Sequence, residues 1–117
     1  MRETVLIVDD HGGFRACARE LLEADGFKVV GEAADAASAI AAARELRPDV
    51  VLLDVQLPDF DGIQASREIG ALDGGAVIVL ISSRDLSDLA GALAECPARG
   101  FISKSELSGA TLRELLV

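Results

Sequence analysis

Residues 50–62 read VVLLDVQLPDFDG: an apolar run, an aspartate closing it at Asp54, and then a loop marked by Pro58 and Gly62. An apolar run this short, with no polar alternation, reads as a strand covered on both faces, as the strands of parallel sheets are. The pattern recurs on either side. The other strand runs are residues 5–8, 29–33, 77–81 and 100–103, and segments of helical period follow at 14–24, 36–46, 63–72, 86–94 and 109–116. In the fourth of these, Leu86, Leu89, Ala90 and Leu93 form one apolar stripe at i, i+3, i+4, i+7 spacing. Punctuation agrees: Asp25-Gly26 and Asp73-Gly74-Gly75 end helices, Pro48 and Pro97 follow them, and Ser108 is placed to cap the last one.

Alternating strands and helices with no repeat, linker or low-complexity stretch describe one α/β domain over residues 1–117. Right-handed crossovers leave few topologies, and the common small one is the flavodoxin-like (βα)5 sheet, order 2-1-3-4-5, with helices on both faces. Ligands of such sheets sit beyond the carboxyl ends of the strands, here near the switch point between strands 1 and 3.

Composition excludes several functions. Acidic residues outnumber basic ones 20 to 11, which disfavours direct binding to nucleic acid or to anionic membrane. No run reaches the length of a membrane span, and the opening MRETVLIVDD lacks a signal-peptide layout, so a reducing cytoplasm is expected. Cys17 and Cys96 have no metal-type spacing and read as free thiols, Cys17 on the apolar side of a helix with Phe14, Ala18, Leu21 and Leu22.

Four strands end in residues with chemistry: Asp9-Asp10, Asp54, Ser82-Ser83 and Lys104. Central strand 3 would hold Asp54 between the acidic pair and the serine. With strands about 4.8 Å apart, Lys104 starts on the order of 10 Å from strand 3, within a lysine's reach of an anion attached to Asp54. Three crowded carboxylates repel unless a cation compensates them, and all-oxygen ligands suit Mg²⁺, which takes one or two carboxylates plus a phosphate oxygen. Asp54 then serves as a nucleophile that becomes an aspartyl phosphate, with Ser82 and Lys104 binding its new oxygens.

VDD near the start, LLDVQLPDFDG in the middle, then LISS and GFISK occur in order over essentially the whole chain, which resembles a response-regulator receiver domain of two-component phosphorelay systems. The resemblance implies that Asp9, Asp10, Asp54 and the main-chain carbonyl of Gln56 hold Mg²⁺. It implies that Ser82 and Lys104 contact the phosphoryl group, that Ser82 and Phe101 form the switch, and that Pro58 and Gly62 shape the pocket loop. Its expected partner is a histidine kinase or phosphotransfer protein, and a homodimer is left open. Phosphorylation would change the face of the fourth helix, fifth strand and last helix. The DDH opening and Lys104-Ser105 are similar to LuxR-type regulators, whose receivers are joined to a helix-turn-helix domain; this chain, stopping at Val117, is expected to be a stand-alone receiver or an excised piece.

Three departures stand out. Gly12-Gly13 weakens the start of the first helix, Phe101 lacks the more frequent tyrosine's hydroxyl, and Ser83, small but polar, stands where the family usually has alanine or glycine. Taken singly, each aspartate is a turn or cap residue, Lys104 a solvated lysine and Phe101 a core aromatic; only their joint placement argues otherwise. His11 reads as a solvent-facing loop residue without a role, while Arg84 and Gln56 flank the site. Three alternatives compete. An aspartyl-phosphate phosphohydrolase would carry an acid where Gln56 stands, a nucleotide- or flavin-binding module would show GxGxxG or a P-loop after strand 1, and a pseudo-receiver docking module would have lost the chemistry.

Overall fold

The computed structural model describes residues 3–55, 62–72, 76–82 and 97–116. Five strands, β1 (Thr4–Val8), β2 (Lys28–Ala33), β3 (Val50–Asp54), β4 (Val77–Ser82) and β5 (Gly100–Ser103), form one parallel sheet in the order β2-β1-β3-β4-β5. Helices α1 (Gly12–Ala24), α2 (Ala36–Leu46) and α3 (Gly62–Gly70) and a C-terminal helix (Gly109–Leu116) accompany it. The expected topology is therefore observed. Gln56, Pro58, Ser83, Arg84, Cys96, the Asp73-Gly74-Gly75 turn and the expected helix at 86–94 lie outside the described residues.

Alternation along the strands divides the core into two layers. On one face Leu6, Val8, Val51, Leu53, Ile78 and Leu80 pack with Ala36, Ala39 and Ala43 of α2 and with Ala65 and Ile69 of α3. Small alanines let α2 approach the sheet closely. On the other face Val5, Ile7, Leu52, Val79, Ile81 and Ile102 meet Ala18 and Leu22 of α1, Phe27, and Leu112 of the C-terminal helix. All five residues of β3 are buried, as its unbroken apolar sequence requires.

Several boundaries have identifiable causes. Asp35 caps α2 by accepting the Ser38 N–H at 2.8 Å, and Gly26, at φ 94°, occupies the left-handed turn after α1. Ser108 caps the C-terminal helix through its Oγ and the Thr111 N–H, 3.1 Å apart, as its sequence position suggests. The same helix start is tied to the end of α1, because Asp25 Oδ2 accepts the Gly109 N–H at 2.9 Å. A Cβ on residue 109 would overlap the Asp25 side chain, so glycine is required by close approach.

Three expectations need correction. α1 begins at Gly12 and not at Phe14, because Asp9 Oδ1 takes the His11 N–H at 2.8 Å and the His11 carbonyl then accepts the Arg15 N–H at 3.1 Å. The preceding strand end supplies the anchor that the two glycines lack. α3 stops at Gly70, before Leu72; the space beside Gly70 is filled by Pro97. The buried stripe of α1 runs through Ala18 and Leu22, four residues apart, which leaves Cys17 and Leu21 exposed. Cys17 is a free thiol, as expected, but on the solvent side.

Candidate functional site

Register places the strand ends side by side. Val8 pairs with Leu53, so Asp9 and Asp54 come next on adjacent strands at one level. Asp54 pairs with Ile81, and Ser82 with Ser103, so Ser82 and Lys104 follow just beyond that level on β4 and β5. Asp9 continues the row of Val5 and Ile7, and Asp54 that of Val50 and Leu52, so both aspartates extend the face covered by α1.

Asp9 is fully buried, and Asp54 is 4 % exposed. The Lys104 ammonium lies 2.5 Å from Asp9 Oδ2 and 3.4 Å from Asp54 Oδ2. Only the second contact has hydrogen-bond geometry. Asp9 Oδ2 is thus a buried oxygen with an opposite charge beside it and no hydrogen bond. Burial pushes the Asp9 carboxyl up, but the Lys104 ammonium and the His11 N–H outweigh it and hold Asp9 below the usual aspartate value. Burial likewise pulls Lys104 down, and Asp9 and Asp54 more than restore it, so its pKa is raised. The Phe14 ring, 4.8 Å from Nζ, covers the ammonium.

A second layer fixes the Asp9 backbone. Its N–H donates to Ala33 on β2 at 3.0 Å, and its carbonyl accepts from Arg15 at 2.6 Å. Arg15 is held by Glu32 of β2 at 3.0 Å, and the same carboxylate takes Arg19 at 2.9 Å. Burial pushes Glu32 up, and the two guanidiniums hold it below the usual glutamate value. Sequence reasoning missed this brace. Its trace is two arginines four residues apart on α1 and a lone acid on the neighbouring strand.

The structure therefore brings Asp9, Asp10, Asp54 and Lys104 together, with Ser82 buried at the adjacent strand end. Phe101 is half-buried, packed against the α2/α3 face of the core and lining a cleft with Ile102, Thr111 and Leu115. Gly62 begins α3. His11, given no role from sequence, is 70 % exposed as expected, yet its Nδ1 lies 3.1 Å from Asp9 Oδ1 and 3.0 Å from Asp10 Oδ1. Ligand atoms of Asp9, Asp10, His11 and Asp54 all fall within 4.8 Å of one another. Three carboxylates against the Lys104 ammonium leave surplus negative charge, and the grouped donor atoms are carboxylate oxygens and one imidazole nitrogen. That donor set fits a divalent cation.

Comparison with known proteins agrees with this geometry. A family model described as the response regulator receiver domain matches residues 5–116. A putative transcriptional regulator of Pseudomonas aeruginosa is 36% identical over 113 residues, which cover 97% of this chain and 53% of that protein. The chain thus spans about half the length of that relative. The chemotaxis protein CheY of Bacillus subtilis is 35% identical over 104 residues, 89% of this chain and 87% of CheY. Among solved structures, a LuxR-family two-component response regulator from Aurantimonas sp. SI85-9A1 superposes with a TM-score of 0.86 at 37% identity, covering 97% of this chain and 81% of that one. The receiver domain of the putative response regulator NarL from Mycobacterium tuberculosis gives 0.86 at 30%, covering 98% and 97%. With matches that run almost from end to end in sequence and in fold, this chain belongs to the response regulator receiver domain family.

Proposed function

We propose that Asp54 is the phosphoacceptor of this domain, served by Mg²⁺ held by Asp9, Asp10, Asp54 and the Gln56 carbonyl. The observation that carries the reading is the convergence on Asp54 of Asp9, from adjacent β1, and of Lys104, which reaches across from the end of β5 beyond β4. One Asp54 oxygen attacks the phosphorus of a phosphohistidine on a histidine kinase or phosphotransfer protein. The new O–P bond forms as the P–N bond breaks, and the imidazole departs with the electron pair. When bound, Mg²⁺ supplies positive charge against the oxygens of the transferring group. Lys104 and Ser82 bind the phosphoryl oxygens on Asp54, which moves the Lys104 ammonium away from Asp9.

In this reading the domain is a switch and not an enzyme with a separate substrate. Lys104 directly follows β5, and β5 carries Phe101, so a shift of the lysine is transmitted to the cleft formed by Phe101, Glu106, Thr111 and Glu114. A few charge-assisted bonds of about 1.5–3 kcal/mol each match the roughly 5.5 kcal/mol needed to invert a 1:99 equilibrium. Transcriptional output through a DNA-binding domain, fused or in a partner, is supported by the similarity to the putative transcriptional regulator of Pseudomonas aeruginosa. Cytoplasmic residence fits this role, and among the described residues no helix is long and apolar enough to cross a membrane.

The test is treatment with phosphoramidate and Mg²⁺ followed by intact mass. Wild type should gain one phosphoryl group and Asp54→Asn none; equal uptake by both would reject the assignment.

A further inference from the structure

We propose that His11 is a nitrogen ligand of the divalent ion in the Asp9–Asp10–Asp54 pocket, so that the site accepts first-row transition ions such as Mn²⁺ and Ni²⁺ through a mixed oxygen and imidazole set. The inference rests on the pocket being a cation site, as proposed above, and adds a ligand to it.

Nδ1 stands 3.0 Å from Asp10 Oδ1 and 3.1 Å from Asp9 Oδ1. Neighbouring ligands around an octahedral ion with bonds of about 2.1 Å are about 3.0 Å apart, and opposite ones about 4.2 Å. The whole set, including Asp54, lies within 4.8 Å, so modest side-chain adjustment closes it around one ion. Asp9 Oδ2 is paired with the Lys104 ammonium at 2.5 Å, which leaves Asp9 Oδ1 as the oxygen that shares the cluster with the His11 ring.

The backbone that carries the ring is anchored beside the cluster. The His11 N–H is bound to Asp9 Oδ1 at 2.8 Å, and its carbonyl receives the first hydrogen bond of α1 from Arg15. Imidazole is a preferred ligand of Ni, Cu and Zn and adds little for Mg²⁺, which holds its waters firmly. An all-oxygen pocket would discriminate less between these ions.

His11 is the chain's sole histidine, which makes the test unambiguous in the untagged protein. Mn²⁺ is titrated into the full chain, binding is read from loss of the free-ion electron spin resonance, and the bound ion is examined for nitrogen coupling by spin-echo modulation. Wild type should show coupling from a directly bound imidazole, changed to the ¹⁵N pattern on ¹⁵N-histidine labelling and absent in His11→Ala. Calorimetry should show Ni²⁺ binding weakened at least about tenfold in His11→Ala, with Mg²⁺ binding changed far less. Bound Mn²⁺ without nitrogen coupling would overturn the His11 assignment while leaving the acidic site intact. Absence of Mn²⁺ uptake, or uptake unchanged by Asp9→Asn, would overturn both.

Discussion

Replacing Lys104 by methionine removes the cation beside a fully buried carboxylate while keeping most of the side chain's volume. Removing one partner of a buried ion pair costs about 3–5 kcal/mol, because the remaining charge is left uncompensated. Lys104 is 17 % exposed and Asp9 keeps its bond from the His11 N–H, so the lower end, about 3 kcal/mol, is expected. At about 2.1 cal/mol/K per residue, a chain of this length has an unfolding entropy of about 250 cal/mol/K, which turns that loss into a Tm lower by about 12 °C. A divalent ion can take over the lost charge. At a hundred times its Kd it would return about 2.7 kcal/mol, close to the whole deficit.

Sign matters for the pH dependence of this effect. Asp9 has a depressed pKa, so its contribution is present above the ordinary aspartate value and lost as pH falls through the folded one. Lys104 has a raised pKa, so its share is present below the ordinary lysine value and lost as pH rises through the folded one. The gap between wild type and Lys104→Met should be widest at neutral pH and close at both extremes. Calorimetric melts with EDTA and with Mg²⁺ test all of this. Equal Tm values in EDTA, or equal Mg²⁺ stabilisation of both proteins, would show that Lys104 does not compensate the buried Asp9 charge.

Two further substitutions probe the frame around the site. Gly109→Ala should lower stability by about 1–3 kcal/mol, since Asp25 must leave its hydrogen bond to the helix start. Gly13→Ala, where a Cβ meets nothing within 4 Å, should raise stability by about 0.5–1 kcal/mol, and urea melts should show these opposite signs. Glu32→Gln should cost no more than about 1 kcal/mol because the brace is partly exposed. The depressed Glu32 pKa predicts that this difference, read in the same melts, is present above the ordinary glutamate value and disappears as pH falls through the folded one.

Much of the fold was readable in the chain because β3 is apolar at every position before Asp54, and alternation into two layers follows wherever such strands lie side by side. The start of α1 was not readable. It depends on Asp9 Oδ1 holding the His11 N–H, a contact that exists only once β1 has ended beside β3. Cys17 shows the limit of periodicity: Ala18 and Leu22 suffice to bury one stripe, and nothing in the pattern says that the next row faces solvent. The acids, Ser82 and Lys104 were legible as strand ends. The Glu32 brace and the His11 approach were not, since each joins residues whose meeting is set by tertiary geometry rather than spacing.

If Asp54 carries the phosphoryl group, that group can be located chemically. After incubation with phosphoramidate and Mg²⁺, borohydride reduction converts an aspartyl phosphate to homoserine, and peptide mass mapping finds the altered residue. Homoserine is expected at position 54 alone, and none when EDTA replaces Mg²⁺. Homoserine at Asp9 or Asp10, or labelling at 54 that is indifferent to EDTA, would contradict it.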